Sequence, residues 1–153
     1  MSMVRWILVV VIAMLIGFFV YVDMNNGVPE NLGVNDGLLA PCPDMPNCVS
    51  SQASVDDAQH FVEPIIYRSN VKDAQLTIEK SLLEDGSARL IESRLGYSHF
   101  EVSSDFFGFK DDLEVYFPEA DSVMHIRSAS RVGYDDLNVN RERVRQIRDL
   151  LVD

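Results

Sequence analysis

Apolar positions fall along this chain in three regimes. From Trp6 to Val22, WILVVVIAMLIGFFVYV, there are 17 residues without a charged side chain, and every face of a helix built from them would be apolar. That length is close to the lower limit of about 17–25 residues for a helix crossing hydrocarbon. A helical period follows later: Val71, Ala74, Ile78 and Leu82 repeat on one face, Ser69 or Asn70 stands where a cap belongs, and Gly86 lies just past the end. From Ser87 to Ser128 the pattern changes to short strands, ARLIES, YSHFEVSS, DLEVYF and SVMHIRS, separated by LG, DFFGFKD and PEAD. A last helix is predicted from about Asn138 to Leu151, capped by Asp136 or Asn138 and burying Val144, Ile147 and Leu151. HFVEPIIY suits an extended segment, but Pro64 keeps it out of a central strand.

Sequential strands with short turns pair antiparallel, and two helices can cover one face of the resulting sheet. The predicted fold is therefore α+β, an antiparallel sheet of about four strands with two helices on one face, preceded by a transmembrane helix. Three zones result: an anchor over 1–23, a flexible linker over 24–39, rich in Gly and Asn, and a domain over 40–153.

The N-terminal run reads as an uncleaved single-pass anchor. A cleaved leader would end in small residues, yet the exit is FFVYVDMNN, and a lipid-bearing cysteine would follow the run directly, whereas Cys42 comes twenty residues later. Arg5 precedes the run and no Lys or Arg follows it before Arg68. The positive-inside bias then puts the N-terminus in the cytoplasm and the chain beyond Asp23 outside, as for a protein of a bacterial inner membrane with a periplasmic or extracytoplasmic domain. Without Arg5 the 13 basic residues become 12 against 24 acidic ones, a formal charge of −12. Such a balance argues against nucleic acid as a partner and against electrostatic docking onto anionic lipid.

The only two cysteines, Cys42 and Cys48, lie in PCPDMPNCVSSQ, a segment too rich in Pro, Asn and Ser for helix or strand. Two thiols in a tight irregular loop point to a structural disulfide and an oxidising compartment. A redox pair usually has closer spacing and an activating helix N-terminus, and zinc would need two further ligands with only His60 near in sequence.

Several of these strings also carry a family likeness. Cys42-Pro43, Pro46 to Gln52, Phe107-Gly108-Phe109 with Asp111-Asp112, and the long run Ile126 to Leu137 continuing through Val139-Asn140-Arg141 resemble the domain-of-unknown-function 1499 family of bacterial and plastid proteins. The resemblance covers roughly Leu39 to the C-terminus. It implies relatedness and fold and brings no activity with it.

Candidate chemistry concentrates in RSASRVGYDDLNVNRER. Arg127, Ser128, Ser130, Arg131 and Tyr134 form a dense set of donors that could hold a carboxylate or phosphate, or a partner protein, near a helix N-terminus. The competing reading pairs these arginines with Asp111, Asp112, Asp135 or Asp136 and makes the corner structural. Burial of both arginines against carboxylates would favour that second reading. Strand alternation turns Phe100, Val102, Leu113, Val115, Met124 and Ile126 toward the helices, leaving His99, Glu101, Glu114, Tyr116, His125 and Arg127 on the other face. That face could bind a divalent metal, but a solvated cross-strand polar ladder is the simpler expectation. Phe106, Phe107 and Phe109 are either an exposed lip for lipid or partner, or, as large aromatics usually are, rings entering the core.

No nucleophile elbow, phosphate loop, dinucleotide fingerprint or H-E-x-x-H motif is present. Asp111 and Asp112 alternate faces and would not address one bond. No catalytic residue, metal or cofactor is assigned. The expected role is a membrane-tethered binding or scaffold domain of the cell envelope, with an enzyme acting on an envelope-associated or small anionic substrate as the alternative.

Overall fold

The computed structural model describes residues 2–84, 86, 88–104, 107–119 and 122–152. Phe106, part of the aromatic cluster above, lies outside them. Helix α1 (Ser2–Asn25) is followed by strands β1 (Cys48–Ser50) and β2 (Ile65–Ile66) and by helix α2 (Val71–Glu84). Strands β3 (Ala88–Arg94), β4 (Tyr97–Ser103), β5 (Lys110–Tyr116) and β6 (Val123–Ser130) come next, and helix α3 (Val139–Val152) closes the chain.

The sheet is antiparallel throughout, in the order β1-β6-β5-β4-β3, with β2 also paired to β6. Among the described residues six strands thus stand where about four were expected. The two additions are short and share one edge of β6: β1 sets Cys48, Val49 and Ser50 opposite Ala129, Ser128 and Arg127, and β2 sets Ile65 and Ile66 opposite Met124 and Val123. Part of the cysteine segment is therefore strand after all, because β6 offers it a ready row of backbone partners. At the other edge, β3 shifts register between Leu90 and Glu92.

The predicted helices form as their caps demand. Asn70 Oδ1 accepts from the Asp73 N–H at 2.9 Å, and Asn70 Nδ2 donates to the Asp73 carboxylate at 2.7 Å. At α3, Asp136 Oδ2 accepts from the Asn140 N–H at 2.9 Å. Ile78 and Leu82 of α2 and Val144 and Ile147 of α3 meet Phe100, Leu113, Val115, Met124 and Ile126 in one core. Gln75 pins α2 to the β3–β4 hairpin: its Nε2 donates to Arg94 O at 2.9 Å and its Oε1 accepts from Gly96 N at 3.0 Å. Gly96 turns that hairpin with φ +88°, and a Cβ there would stand 3.3 Å from Phe117 O.

Met3–Asn25 is long and apolar enough to cross a membrane. Most of its side chains are exposed, but Val22 is buried. The stretch 24–39, read from sequence as a linker, lies against the domain. Asn26 Nδ2 donates to Gly108 O at 2.7 Å, Asn26 Oδ1 accepts from Lys110 N at 3.2 Å, and Asn26 O accepts from Arg131 Nη1 at 2.9 Å. Further on, Gly33 N donates to Glu114 Oε1 at 2.7 Å, and buried Leu39 donates its N–H to Gln52 Oε1 at 2.8 Å.

Candidate functional site

The candidate residues of the β6–α3 corner separate, because neighbours on a strand point to opposite faces. Arg127 and Arg131 lie with Asp112, Glu101 and Glu114 on one face of the sheet. Ser128 and Ser130 point the other way, toward Asn140 on α3. Asp111 and Asp112 divide likewise, Asp111 to Arg143 of α3 and Asp112 to Arg131. Tyr134 belongs to neither group and is 72 % exposed. The donor set therefore does not converge on one point.

The first group is a buried ionic layer where a solvated ladder was expected. His99, Glu101, Asp112, Glu114 and Arg127 are all buried. Arg131 forks onto Asp112, Nε to Oδ2 at 2.9 Å and Nη2 to Oδ1 at 2.7 Å, and its Nη1 reaches Glu101 Oε2 at 2.7 Å. His99 Nε2 donates to Asp112 Oδ1 at 2.8 Å, while Arg89 and Lys110 approach Glu101 from the rim at 3.0 and 3.4 Å. A second branch centres on Glu114, which accepts from Tyr97 Oη at 2.8 Å and Arg127 Nη1 at 3.3 Å. Arg127 is the less engaged arginine, since its buried Nε has no partner among the described residues.

Electrostatics follow from this packing. Burial alone would raise the Asp112 pKa, but the bonds from Arg131 and His99 and their charges outweigh it and hold the carboxyl below its usual range. Glu101 behaves the same way: burial pushes it up, and Arg89, Arg131 and Lys110 bring it net down. The bond to Asp112, against a smaller opposing effect of burial, raises Arg131. Burial, then the nearby Glu114 charge, pushes the Tyr97 phenol upward.

The second group is a hub on Asn140, a fully buried residue that sequence reasoning did not single out. Its Nδ2 donates to Asn47 O at 3.1 Å and Ser130 Oγ at 3.0 Å, and its Oδ1 accepts from Ser128 Oγ and Arg143 Nη1. Arg143 also donates to Asp111 Oδ2 at 2.8 Å and Ser128 Oγ at 2.9 Å. Asn47, from the cysteine loop, donates through Nδ2 to Gly133 O at 2.6 Å and thereby holds the corner turn, where Gly133 has φ +103°. The one available signal was the place of Asn140 in the family-like run, one position inside the last helix.

Cys42 and Cys48 form the expected disulfide, which ends at the first residue of β1. Nearby, Asp57 Oδ2 accepts from His60 Nδ1 at 2.7 Å. Ser51 Oγ accepts from the Ile126 N–H at 2.9 Å and lies 3.2 Å from His125 Nδ1, so His99 and His125 serve different neighbours. Among the described residues there is no group of three or more His, Cys, Asp or Glu side chains that could hold a metal ion.

The surface beside the corner is less polar. Leu137 and Asn138 carry positive φ values of 55° and 65°, and Leu137 is 84 % exposed. They border an open groove of about 680 Å³ between α2, α3 and the end of β4, with Leu82, Val102, Ile147 and Leu150 among its walls and Arg143 at its side. The aromatic pair of the β4–β5 loop departs from expectation: Phe107 and Phe109 are absent from the core and each stands 6.1 Å, centroid to centroid, from Phe18 of α1.

Compared with known proteins, residues 38–151 match the family model described as protein of unknown function (DUF1499). No curated protein and no solved structure matches the chain.

Proposed function

This chain belongs to the DUF1499 family, and from that premise and the geometry above we propose that it is a membrane-anchored, extracytoplasmic binding or scaffold domain of the bacterial cell envelope. In this reading α1 crosses the inner membrane once, with the N-terminus in the cytoplasm and residues 40–153 on the periplasmic side. The observation that carries it is the junction at Asn26, where the residue following an apolar helix of membrane-spanning length is hydrogen-bonded to the β4–β5 loop, β5 and Arg131. The disulfide agrees with an oxidising compartment.

The binding surface assigned here is the exposed rim of the corner, Tyr134 and Leu137, with the groove beside α3, and its partner is an envelope protein offering an apolar segment. Ser128 and Ser130 bond to Asn140 of α3, whereas Arg127 and Arg131 are engaged on the opposite face of the sheet. The enzyme alternative needs Arg127 and Arg131 to hold an anionic substrate beside Asp112. Geometry favours it less, because Asp112 and Glu101 already occupy the Arg131 fork.

Two measurements test the reading. A reporter active only outside the cytoplasm, fused after residue 153, gives signal; silence overturns the orientation. A photo-crosslinker at Leu137 in native membranes yields a discrete adduct that the same group at Leu95, on the β3–β4 turn, does not. Equal yields at both positions would rule out the rim as the binding surface.

A further inference from the structure

We propose that the β4–β5 loop is a second membrane contact: Phe107 and Phe109 enter the outer leaflet of the bilayer that α1 spans and fix the domain's tilt on it. The inference rests on the reading of α1 as the anchor and adds a lipid-facing site on the domain itself.

Depth follows from helix geometry. The 17 uncharged residues from Trp6 to Val22 rise about 26 Å at 1.5 Å each, less than a hydrocarbon thickness of about 30 Å. The span has no slack, so the whole run has to lie in the apolar layer. Phe18 stands four residues before the end of that run, about 6 Å inside it, and helical side chains lean toward the N-terminus, deeper still. Phe107 and Phe109 pack edge-on and at equal distance against that ring, and 5.8 Å from each other. The two rings, with centroids 6.1 Å from that of Phe18, therefore stand beside the outer end of the apolar run.

Among the described residues of the loop, Ser104, Gly108 and Phe109 are suited to such a medium. Backbone groups brought into lipid must be satisfied internally. Here Ser104 N donates to Phe109 O at 2.9 Å, Phe109 N to Ser104 Oγ at 3.0 Å, and Gly108 N to Ser104 O at 3.3 Å. Gly108 O accepts from Asn26 at the exit of α1. Phe107 remains 45 % exposed, away from the core. Lys110 follows directly, its amine held 3.4 Å from Glu101 and so turned to the domain. An exported charge of −12 gives no attraction to anionic lipid, so aromatic insertion is what holds this edge to the bilayer.

The test uses tryptophan emission of the full chain in vesicles whose lipids carry bromine on acyl carbons near the glycerol. Wild type has a single tryptophan, Trp6, and reports the anchor. W6F/F107W reports the loop, and W6F/L95W reports the far end of β4, where Leu95 is exposed. The proposal expects loss of emission relative to unbrominated vesicles for Trp6 and for F107W, and none for L95W. Trp6 quenched with F107W unquenched, whether the latter is open to aqueous iodide or shielded by protein, overturns the loop contact and spares the anchor. Quenching of L95W as well means a domain lying flat and also overturns it. An unquenched Trp6 removes the anchor reading and this inference with it.

Discussion

Arg131 and Asp112 form a two-pronged ion pair, 2.9 and 2.7 Å long, with both side chains only 2 % exposed. Removing the cation leaves Asp112 with His99 alone and Glu101 with only Arg89 and Lys110 at the rim, in a layer largely shielded from water. Breaking a buried pair in this way costs about 3–5 kcal/mol. Arg131→Met in the full chain, unfolded by urea in detergent, is expected to lose that much, and Arg131→Lys less, because the charge survives without the fork. A loss under about 1 kcal/mol, the worth of a surface pair, would mean that the pair is solvated.

The same pair sets the acid limb of stability. Asp112 and Glu101 are held below their unfolded values, so their contribution is complete above the unfolded carboxylate range and disappears as pH falls through the folded pKa values. The denaturation midpoint should be level near neutrality and drop below about pH 4. The double variant D112N/E101Q should be weaker at neutral pH and show a shallower fall. An acid limb as steep as that of wild type would assign the effect to other carboxylates.

The disulfide closes a loop with a sequence separation of 6. Chain entropy puts its stabilisation at about 2.4 kcal/mol for so short a ring. C42S/C48S should lower stability by that order, and thiol reduction should raise the mass by about two hydrogens. No mass change on reduction would show free thiols.

Asn140→Ala removes a fully buried amide that serves four partners. Asn47 O keeps the Ser130 N–H and Arg143 keeps Ser128 and Asp111, so losing the four bonds of this buried amide should cost about 1–3 kcal/mol. Hydrogen exchange should rise at Asn47 to Ser50 and at the corner, while the β3–β4 hairpin is unaffected. Uniform loosening would argue against a local hub.

Asn26→Ala cuts the two side-chain bonds that tie the residue after α1 to Gly108 of the β4–β5 loop and to Lys110 of β5. Proteolysis between residues 27 and 32 should accelerate while the melting temperature barely moves. Unchanged cleavage would mean that the junction is held elsewhere.

How much was legible follows from where the information resides. The alternation of Phe100, Val102, Leu113, Val115, Met124 and Ile126 announced the core face, and all six are in it. Burial of the opposite face was not legible. It depends in part on Gly33 N and Asn26 O, backbone groups that every residue type carries and no pattern marks. β1 was hidden for a related reason: three residues are too few to show a period, and their pairing is supplied by β6. At the corner the pairing of an arginine with Asp112 was legible, and the division of the donors between two faces was not. On a strand, Arg127 and Ser128 face opposite sides.

Strand β3 lies at the end of the sheet order, paired on one side to β4. Anchored proteins share a plane, where encounters are frequent and sheet edges come together in similar orientations. Strand-to-strand zipping needs an uninterrupted, uncharged row of backbone groups. Here the shift between Leu90 and Glu92 breaks that row, and Arg89, Glu92 and Arg94 place charge along it. On the proposed anchoring by α1, crowding in the bilayer would bring these domains into collision without joining their sheets.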